Sequence, residues 1–100
     1  MLALRVTARA ERHIRAASQW WMSNRTAAPT MFLDELWRAF ELLTTQPQIG
    51  SVAVNSRLKG IRRILLPRSQ YVLYYRINLR QQRVEVIELW HTSRGAEPKL

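Results

Sequence analysis

Arginine side chains are the groups in this sequence best suited to binding chemistry. Sixteen basic residues stand against seven acidic ones, which gives a net charge of +9, and fourteen of the sixteen are arginine. No acidic residue occurs between Leu42 and Val84, a stretch rich in arginine. Guanidinium groups form paired hydrogen bonds with phosphates and carboxylates. The charge therefore predicts a nucleic acid or an acidic protein segment as the partner, and an incidental basic surface is the alternative.

Seven residues are the candidates for such a binding surface, which we expect at one end of the predicted sheet. Four arginines and a lysine lie in or beside the first strand of a predicted hairpin, and a histidine and an arginine follow its last strand. They are Arg57, Lys59, Arg62, Arg63, Arg68, His91 and Arg94.

Motifs of high specificity for enzymes are absent. The sequence has no Walker-type phosphate loop, no GxGxxG and no HExxH. His13 and His91 are far apart and have no cysteine companions, which argues against a zinc site. Glu85 and Glu88 are expected on opposite faces of one strand, so they do not form a carboxylate pair. We therefore expect no metal, no cofactor and no small-molecule substrate.

Large aromatic residues fall within the apolar faces of two predicted helices. This position favours packing in the core or in a groove for a partner over stacking on nucleic acid bases. His13 is expected at the boundary of the first helix, near the first of the tryptophans. The candidate anchors for a partner are Trp20, Trp21, Trp37 and Phe40.

Length and composition limit the class of protein. One hundred residues with 47% apolar content are typical of one globular domain, here residues 1–100. The chain has no cysteine, so disulfides are excluded. No apolar run approaches the roughly 18 residues of a membrane span, and the N-terminus lacks the order of a secretory signal. We expect a mature cytoplasmic protein without a membrane partner.

Hydrophobic periodicity predicts a strand followed by two helices. Leu2 to Thr7 alternates apolar and polar residues, as in a half-buried strand. From Ala8 to about Arg25 the period is that of an amphipathic helix, which is expected to fray near Asn24. A second amphipathic helix is predicted with Pro29 in its first turn and an end before Pro47. Because only a few residues join them, we expect an antiparallel helical hairpin.

The second half of the chain is predicted to form a loop and three strands. The loop covers Gln48 to Gly60, and the strands cover Ile61 to Leu66, Tyr71 to Ile77 and Arg83 to Trp90. The order β-α-α-β-β-β predicts an α+β fold, with the helical hairpin packed on one face of a small twisted antiparallel sheet. Arginines that alternate out of the strands would line the open face. Residues 95–100 are expected to be mobile.

Several segments in this order resemble the ParE/RelE superfamily of bacterial toxins. They are Phe32-Leu33-Asp34-Glu35-Leu36, Pro47-Gln48-Ile49-Gly50, Arg62-Arg63-Ile64-Leu65, Tyr71 to Ile77, and Val86 to His91 with Arg94. The resemblance extends from Leu4 to Arg94. It implies the toxin of a type II toxin–antitoxin system of the plasmid-stabilisation type, neutralised by a cognate antitoxin. An acidic antitoxin segment would suit a toxin of charge +9, and Trp20, Trp21, Trp37 and Phe40 become its candidate anchors.

Two activities occur in this superfamily, and the sequence favours one of them. RelE-like members cut mRNA on the ribosome, and an arginine normally follows the tyrosine that opens their third strand. That position is Val72 here, which cannot stabilise phosphorane charge, and the C-terminal tyrosine of the nuclease pattern is missing after Arg94. His91 and Arg94 near the C-terminus match the pattern with which ParE-like chains end. Those chains inhibit DNA gyrase and have no demonstrated hydrolytic site.

Two alternatives stay open at the level of the sequence. One is a ribosome-dependent mRNA endoribonuclease, with a phosphate-binding and acid–base set formed by Arg62, Arg63, Arg68 and His91. The other is a basic nucleic-acid-binding domain outside any toxin system. Gyrase inhibition is the function that we prefer, and we expect the seven basic-surface residues to face the target.

Overall fold

The computed structural model describes residues 1–100. It contains two helices and five strands, which form two layers, a helical hairpin and a sheet. The predicted fold class is confirmed, because the two helices pack together on one face of the sheet. The elements are β1 (Ala3–Val6), α1 (Ala8–Asn24), α2 (Met31–Thr45), β2 (Ser51–Val52), β3 (Ile61–Leu66), β4 (Tyr71–Asn78), β5 (Arg83–His91) and a 3-10 turn (Thr92–Arg94).

The sheet has the strand order β1-β5-β4-β3-β2 and is mixed rather than wholly antiparallel. β1 pairs in parallel with β5, so that Ala3 lies opposite Arg83 and Val6 opposite Val86. The hairpin of helices returns the chain to its starting end, where the Leu2 N–H donates to the Thr44 carbonyl over 3.0 Å. From there β3, β4 and β5 alternate in direction, which leaves β5 running the same way as β1.

The helices begin and end close to the predicted residues. Thr7 caps α1 by accepting a hydrogen bond from the Ala10 N–H over 3.2 Å. Pro29 lies before α2 and not in its first turn, because residues 26–30 form a tight connection and Thr30 occupies the cap position. Such one- or two-residue shifts at helix ends are set by local turn geometry, which periodicity does not reveal.

A two-residue strand, β2, lies within the segment that was predicted to be a loop. Ser51 pairs with Arg63 and Val52 with Arg62 at the edge of the sheet. This strand is too short to produce an apolar period, so the sequence pattern could not predict it. The rest of the segment from residue 53 to residue 60 connects β2 to β3 without regular structure.

The main core lies between the helical hairpin and the sheet. Phe32 and Leu43 of α2 and Leu73, Tyr75 and Val86 of the central strands are fully buried there. The Tyr75 hydroxyl donates to the Pro47 carbonyl over 2.7 Å and accepts from the Gly50 N–H over 2.8 Å. These bonds attach the segment after α2 to the middle of the sheet, and burial raises the pKa of Tyr75.

The opposite face of the sheet carries a second, smaller apolar cluster. Ile61, Val72 and Tyr74 are buried there, with Trp90 and Leu100 packed against them. We call this surface the distal face. Residues 95–100 lie across it, since the Trp90 indole N–H donates to the Ala96 carbonyl over 2.6 Å and the Arg57 N–H to the Leu100 carbonyl over 2.7 Å. The face expected to be open is therefore partly covered by the end of the chain.

A β-bulge in β5 redirects one acidic side chain. Tyr74 pairs with Glu88 and Tyr75 with Val86, which leaves Ile87 without a partner in β4. Beyond this bulge both Glu88 and Leu89 face the helices. Glu88 is fully buried, and its carboxylate contacts Arg9 and His13 of α1. The bulge thus creates an ionic attachment between α1 and the sheet.

Candidate macromolecule-binding groove

A cleft of about 600 Å³ opens where the end of α1 meets the turn between β3 and β4. Its walls include Trp20, Arg25, Arg68, Tyr71, His91 and Ser93. A second cleft of about 320 Å³ shares Trp20, Tyr71 and His91 with the first and extends to His13 and Arg94 over an apolar floor of Ala16, Ala17 and Leu89. Because the two clefts share three walls, we treat them as one continuous surface and call it the tryptophan groove.

Three arginines that have no acidic partner line the tryptophan groove, and the guanidinium of one of them, Arg94, lies 3.7 Å from the ring centre of Trp90 on the distal face. Arg25, Arg68 and Arg94 take part in none of the ion pairs of the structure. The Arg25 guanidinium lies 5.1 Å from the ring centre of Trp20 and 5.6 Å from that of Trp21. No carboxylate lines either cleft. The groove is therefore a cationic surface with aromatic walls, whose positive charge is not neutralised within the chain.

The position of Arg68 is fixed by a carboxylate behind the turn. Glu35 of α2 accepts hydrogen bonds from the backbone N–H groups of Arg68, over 2.7 Å, and Ser69, over 3.0 Å. It also accepts from the Ser69 hydroxyl over 2.6 Å. The carboxylate thus binds the turn backbone, while the Arg68 side chain is exposed to solvent. Arg68 was expected at an end of the sheet, and the anchor formed by Glu35 gives that end its geometry.

His91 faces the groove in one defined tautomer. Its Nδ1 accepts from the backbone N–H of Ser93 over 3.1 Å and lies 2.7 Å from the Ser93 hydroxyl. A nitrogen that accepts from an amide has no proton of its own, so the neutral ring carries its proton on Nε2. The ring also packs edge-on against Tyr71, with ring centres 4.7 Å apart. His91 therefore has a hydrogen-bond donor at Nε2, and the lone pair of its Nδ1 is occupied by Ser93.

Tyr71 is the central wall of the groove and is packed on two sides. Its ring centre lies 5.1 Å from that of Phe32 in the core and 4.7 Å from that of His91. The Tyr71 hydroxyl keeps its proton at neutral pH, as a tyrosine ordinarily does, and burial raises its pKa further. The side chain consequently acts as a fixed neutral surface rather than as a source of charge.

The seven predicted basic-surface residues do not come together at one end of the sheet. Arg68, His91 and Arg94 lie at the end where β3 turns into β4. Arg57 and Lys59 lie in the loop before β3, at the opposite end of that strand. A six-residue strand separates the two groups by roughly 20 Å. The prediction of a single basic surface is wrong in this respect.

Arg62 and Arg63 also point to opposite faces of the sheet. Arg62 pairs with Tyr75 on the helical side and donates to the Gly50 carbonyl over 2.8 Å. Arg63 lies on the distal face above Tyr74 and forms an ion pair of 3.1 Å with Glu97. Adjacent residues of a strand must diverge in this way. The four residues of the nuclease alternative, Arg62, Arg63, Arg68 and His91, are therefore dispersed over three surfaces.

Three arginines that alternate out of the strands onto the distal face, Arg63, Arg76 and Arg83, are neutralised within the chain, whereas the exposed Arg5 of β1 forms no ion pair. Glu85 is buried between Arg76 and Arg83, with hydrogen bonds of 2.7 and 2.8 Å to their Nε atoms. The Arg76 hydrogen bond, followed by that of Arg83, holds the pKa of Glu85 below its ordinary value. Arginines therefore do lie on the face that was expected to be open, but most of them form ion pairs with glutamates of the same chain.

The four predicted partner anchors divide equally between the core and the surface. Trp21 and Phe40 are buried, whereas Trp20 is 45% exposed and Trp37 is 61% exposed. Trp37 rests edge-on against Phe40, with ring centres 5.7 Å apart. Trp20 is a wall of the tryptophan groove and Trp37 an isolated aromatic surface of α2. Trp20 and Trp37 expose most of the aromatic surface, and Trp21 also contributes to the lining of the first cleft.

The chain matches, over residues 4–95, the family profile described as "ParE toxin of type II toxin-antitoxin system, parDE". The match covers nearly the whole sequence and both helices and all five strands. The chain belongs to this family. It is therefore a toxin-family member of the type II toxin–antitoxin class, as the resemblance in the sequence implied. No curated protein sequence gives a significant match.

Several solved structures share the fold of this ParE-family chain. The chromosomal ParDE system of P. aeruginosa superposes with a TM-score of 0.68 at 16% identity, covering 91% of this chain and 96% of that chain. The intact E. coli RelBE complex gives 0.63 at 18% identity, covering 98% and 100%. The isolated E. coli RelE toxin gives 0.62 at 18%, covering 99% and 88%. ParE-like and RelE-like relatives fit about equally well, so the fold does not separate their activities.

Three residues of this ParE-family toxin have roles that sequence analysis missed. Arg25 follows the last turn of α1, where fraying was expected, and its spacing of four and five residues from Trp21 and Trp20 is the signal that could have located it. Glu35 was named only within a segment that carries the family resemblance, although it anchors a turn 33 residues away. Glu88 contacts His13, which was expected beside Trp20. Such long-range partners leave no local pattern.

The structure contains neither a cluster of metal-binding side chains nor a helix able to span a membrane. No group of three or more histidine, cysteine, aspartate or glutamate side chains is close enough to hold a metal ion. Neither helix has the length and apolar character required to cross a membrane.

Proposed function

We propose that this ParE-family toxin acts by binding DNA gyrase and that a cognate antitoxin neutralises it. Membership of the family supports the toxin role, and the P. aeruginosa relative is itself a ParDE system. Inhibition by binding requires a surface rather than a set of reacting groups. Gyrase as the target implies that the toxin works in the cytoplasm.

The dispersal of the basic residues is the observation that carries the choice of binding over cleavage. General acid–base cleavage of RNA requires groups within hydrogen-bond reach of one scissile phosphate. Arg62, Arg63 and Arg68 instead belong to three different surfaces, and Arg63 is already paired with Glu97. Val72 is buried on the distal face among apolar neighbours and offers no donor to a phosphate.

The state of His91 supports the same conclusion. A general base must direct a free lone pair at the proton that it removes. In His91 the nitrogen with the lone pair accepts from Ser93, and the other nitrogen carries the proton. This residue is therefore arranged to donate a hydrogen bond to a partner and not to abstract a proton.

The loop before β3 is the best candidate for the contact with gyrase. Arg57 and Lys59 are exposed there without an acidic partner, and they alternate with apolar side chains: Val54 is 85% exposed and Leu58 44% exposed. A mixture of exposed apolar and cationic residues is typical of surfaces that bind other proteins. We call residues 53–60 the basic loop.

The antitoxin contact is proposed on the helical hairpin, with Trp37 as its anchor. An exposed tryptophan on a helix is a costly surface feature that a partner helix or strand would cover. Phe40 supports Trp37 from the core, whereas Trp21 is buried beside Trp20 and lines the first cleft.

A supercoiling assay with purified toxin tests the proposed target. We expect the wild type to inhibit gyrase and the double variant Arg57→Gln/Lys59→Gln to need at least about tenfold more protein for the same inhibition. The control is Arg12→Gln/Arg38→Gln, which removes the same charge from exposed positions on the helices. It should inhibit like the wild type.

Three results would contradict the proposal. Equal losses in the two double variants would mean that total charge, and not the basic loop, governs inhibition. Cleavage of mRNA on translating ribosomes, with supercoiling unaffected, would establish the nuclease alternative. Expression without any growth arrest would favour a nucleic-acid-binding domain outside a toxin system.

A further inference from the structure

We propose that residues 96–100, which we call the strap, hold the basic loop in the conformation that contacts the target. Trp90, Glu97 and Leu100 are then positioning residues for a contact that they do not make themselves. The inference rests on the proposed contact between the basic loop and gyrase, and it adds the part of the molecule that orders this loop. The strap lies on the distal face, beside the loop.

The basic loop has few attachments of its own to the sheet. Its base is closed by a hydrogen bond from the Ala53 N–H to the Ile61 carbonyl, over 2.8 Å. Within the loop, the Ser56 hydroxyl donates to the Leu58 carbonyl over 2.9 Å and accepts from the Leu58 N–H over 3.1 Å. None of residues 53–60 is buried. A segment with so little buried surface opens at a low free energy unless other groups hold it.

Every other hydrogen bond between the basic loop and the rest of the chain goes to the strap. The Arg57 N–H donates to the Leu100 carbonyl over 2.7 Å, and the Ser56 hydroxyl lies 3.4 Å from the same oxygen. The Asn55 side-chain amide donates to the Glu97 carboxylate over 3.2 Å. Three consecutive residues are thus attached to the strap, and one of them, Arg57, is a cation proposed to contact the target.

The strap itself is fastened to the sheet by separate contacts. The Trp90 indole N–H donates to the Ala96 carbonyl over 2.6 Å, and the Glu97 carboxylate pairs with Arg63 over 3.1 Å. Leu100 packs against the apolar cluster of the distal face. Because the strap is held at its start, its middle and its end, it provides a fixed support for the loop. A loop that is ordered before binding loses less conformational entropy when the target binds.

The charge of Glu97 separates this inference from a purely electrostatic one. Its carboxylate lies beside a loop whose proposed contact with the target depends on two cations, so its negative charge lowers the positive potential there. If inhibition depended only on this potential, removal of the carboxylate would strengthen inhibition. If the strap orders the loop, the same removal weakens inhibition. The two explanations therefore predict effects of opposite sign.

Hydrogen–deuterium exchange and gyrase supercoiling, measured on the same variants, test the inference. Glu97→Ala removes the acceptor of Asn55, and Trp90→Phe removes the donor to the strap but keeps an aromatic ring. In each variant we expect the amides of residues 54–58 to exchange about fivefold faster. The amount of toxin required for half inhibition should rise about threefold. Glu97→Gln keeps an acceptor for Asn55 and should restore most of the protection.

Two control variants and one internal control accompany the test. Lys99→Ala changes an exposed side chain of the strap, and Glu41→Ala removes the same charge as Glu97→Ala from an exposed position of α2. Both should match the wild type in exchange and in inhibition. The amides of β4, followed in the same exchange experiment, report whether the sheet is folded. Glu97 is 48% exposed, so its replacement leaves the packing of the sheet intact.

Several outcomes would overturn the inference. Unchanged exchange of residues 54–58 in Glu97→Ala and Trp90→Phe would mean that the strap does not order the loop. Faster exchange with undiminished inhibition would mean that the order of the loop is irrelevant to the target, and stronger inhibition by Glu97→Ala would assign its effect to charge. Equal changes in either control variant would remove the role of the specific contacts. Absence of inhibition by the wild type would refute the proposed target alone, and the exchange rates would still decide whether the strap orders the loop.

Discussion

Replacement of Glu85 by glutamine should destabilise the toxin at neutral pH. The residue is 4% exposed, and its carboxylate bridges Arg76 and Arg83 across the distal face. Glutamine keeps the shape but removes the charge, so two guanidinium groups lose their common partner. Each hydrogen bond between charged groups contributes about 1.5–3 kcal/mol. Because the arginine side chains are 42% and 25% exposed, solvent screens part of this, and we expect a loss of about 2–3 kcal/mol.

The same substitution should alter how stability depends on pH. The pKa of Glu85 is lower in the folded protein than in the unfolded chain, chiefly because of the hydrogen bond from Arg76. A group of this kind contributes fully above its pKa in the unfolded chain, and the contribution disappears as the pH falls through the lower pKa of the folded protein. The free energies of unfolding of the wild type and of Glu85→Gln should therefore converge in acid.

Urea denaturation followed by circular dichroism at neutral pH and in acid measures both effects. The matched control is Glu41→Gln, an exposed glutamate of α2 without an ionic partner, which should cost less than about 0.5 kcal/mol. A loss below about 0.5 kcal/mol for Glu85→Gln at neutral pH would refute the magnitude. A gap between wild type and variant that persists undiminished in acid would refute the ionic origin.

Three further substitutions test the packing and the surface. Tyr75→Phe should lower the free energy of unfolding by about 1.5–3 kcal/mol, because it strips partners from the Pro47 carbonyl and the Gly50 N–H; an unchanged urea midpoint would contradict this. Gly50→Ala should cost at least about 2 kcal/mol, because its Cβ would lie 2.5 Å from the Tyr75 Oη and 2.7 Å from the Arg63 carbonyl oxygen; stability equal to wild type would refute it. Trp37→Ser should change stability by less than about 1 kcal/mol but weaken antitoxin binding, measured by titration calorimetry, about tenfold or more; unaltered affinity would exclude Trp37 as an anchor.

Local periodicity was sufficient to predict most of the fold. The end of α1 lies at Asn24, where fraying was expected, and β3 has the predicted bounds. The spacing of apolar residues indicates which side of a helix or strand is buried. It does not indicate the direction of a strand that a long connection joins to the sheet. The parallel pairing of β1 with β5 therefore had no sequence signal, and neither did the bulge that turns Glu88 toward α1.

The site was less predictable because it depends on partners that are distant in the chain. Alternation alone could have separated Arg62 from Arg63, which the hypothesis of one basic surface overlooked. In contrast, the pairing of Arg63 with Glu97 joins residues 34 positions apart, and no local pattern predicts it. The sequence identified the arginines as important but did not reveal which of them are already neutralised.

The pairing of the first strand with the last has a consequence for folding kinetics. The Thr7 hydroxyl donates to the Ile87 carbonyl across 80 positions of the chain, and β5 is the sole strand neighbour of β1. A loop of this size must close before the sheet is complete, and such long-range contacts slow folding to about milliseconds or longer. Until closure, the edge of β5 that β1 later covers remains available to strands of other molecules. Refolding of this toxin should therefore be most efficient in dilute solution, where intramolecular closure outruns aggregation.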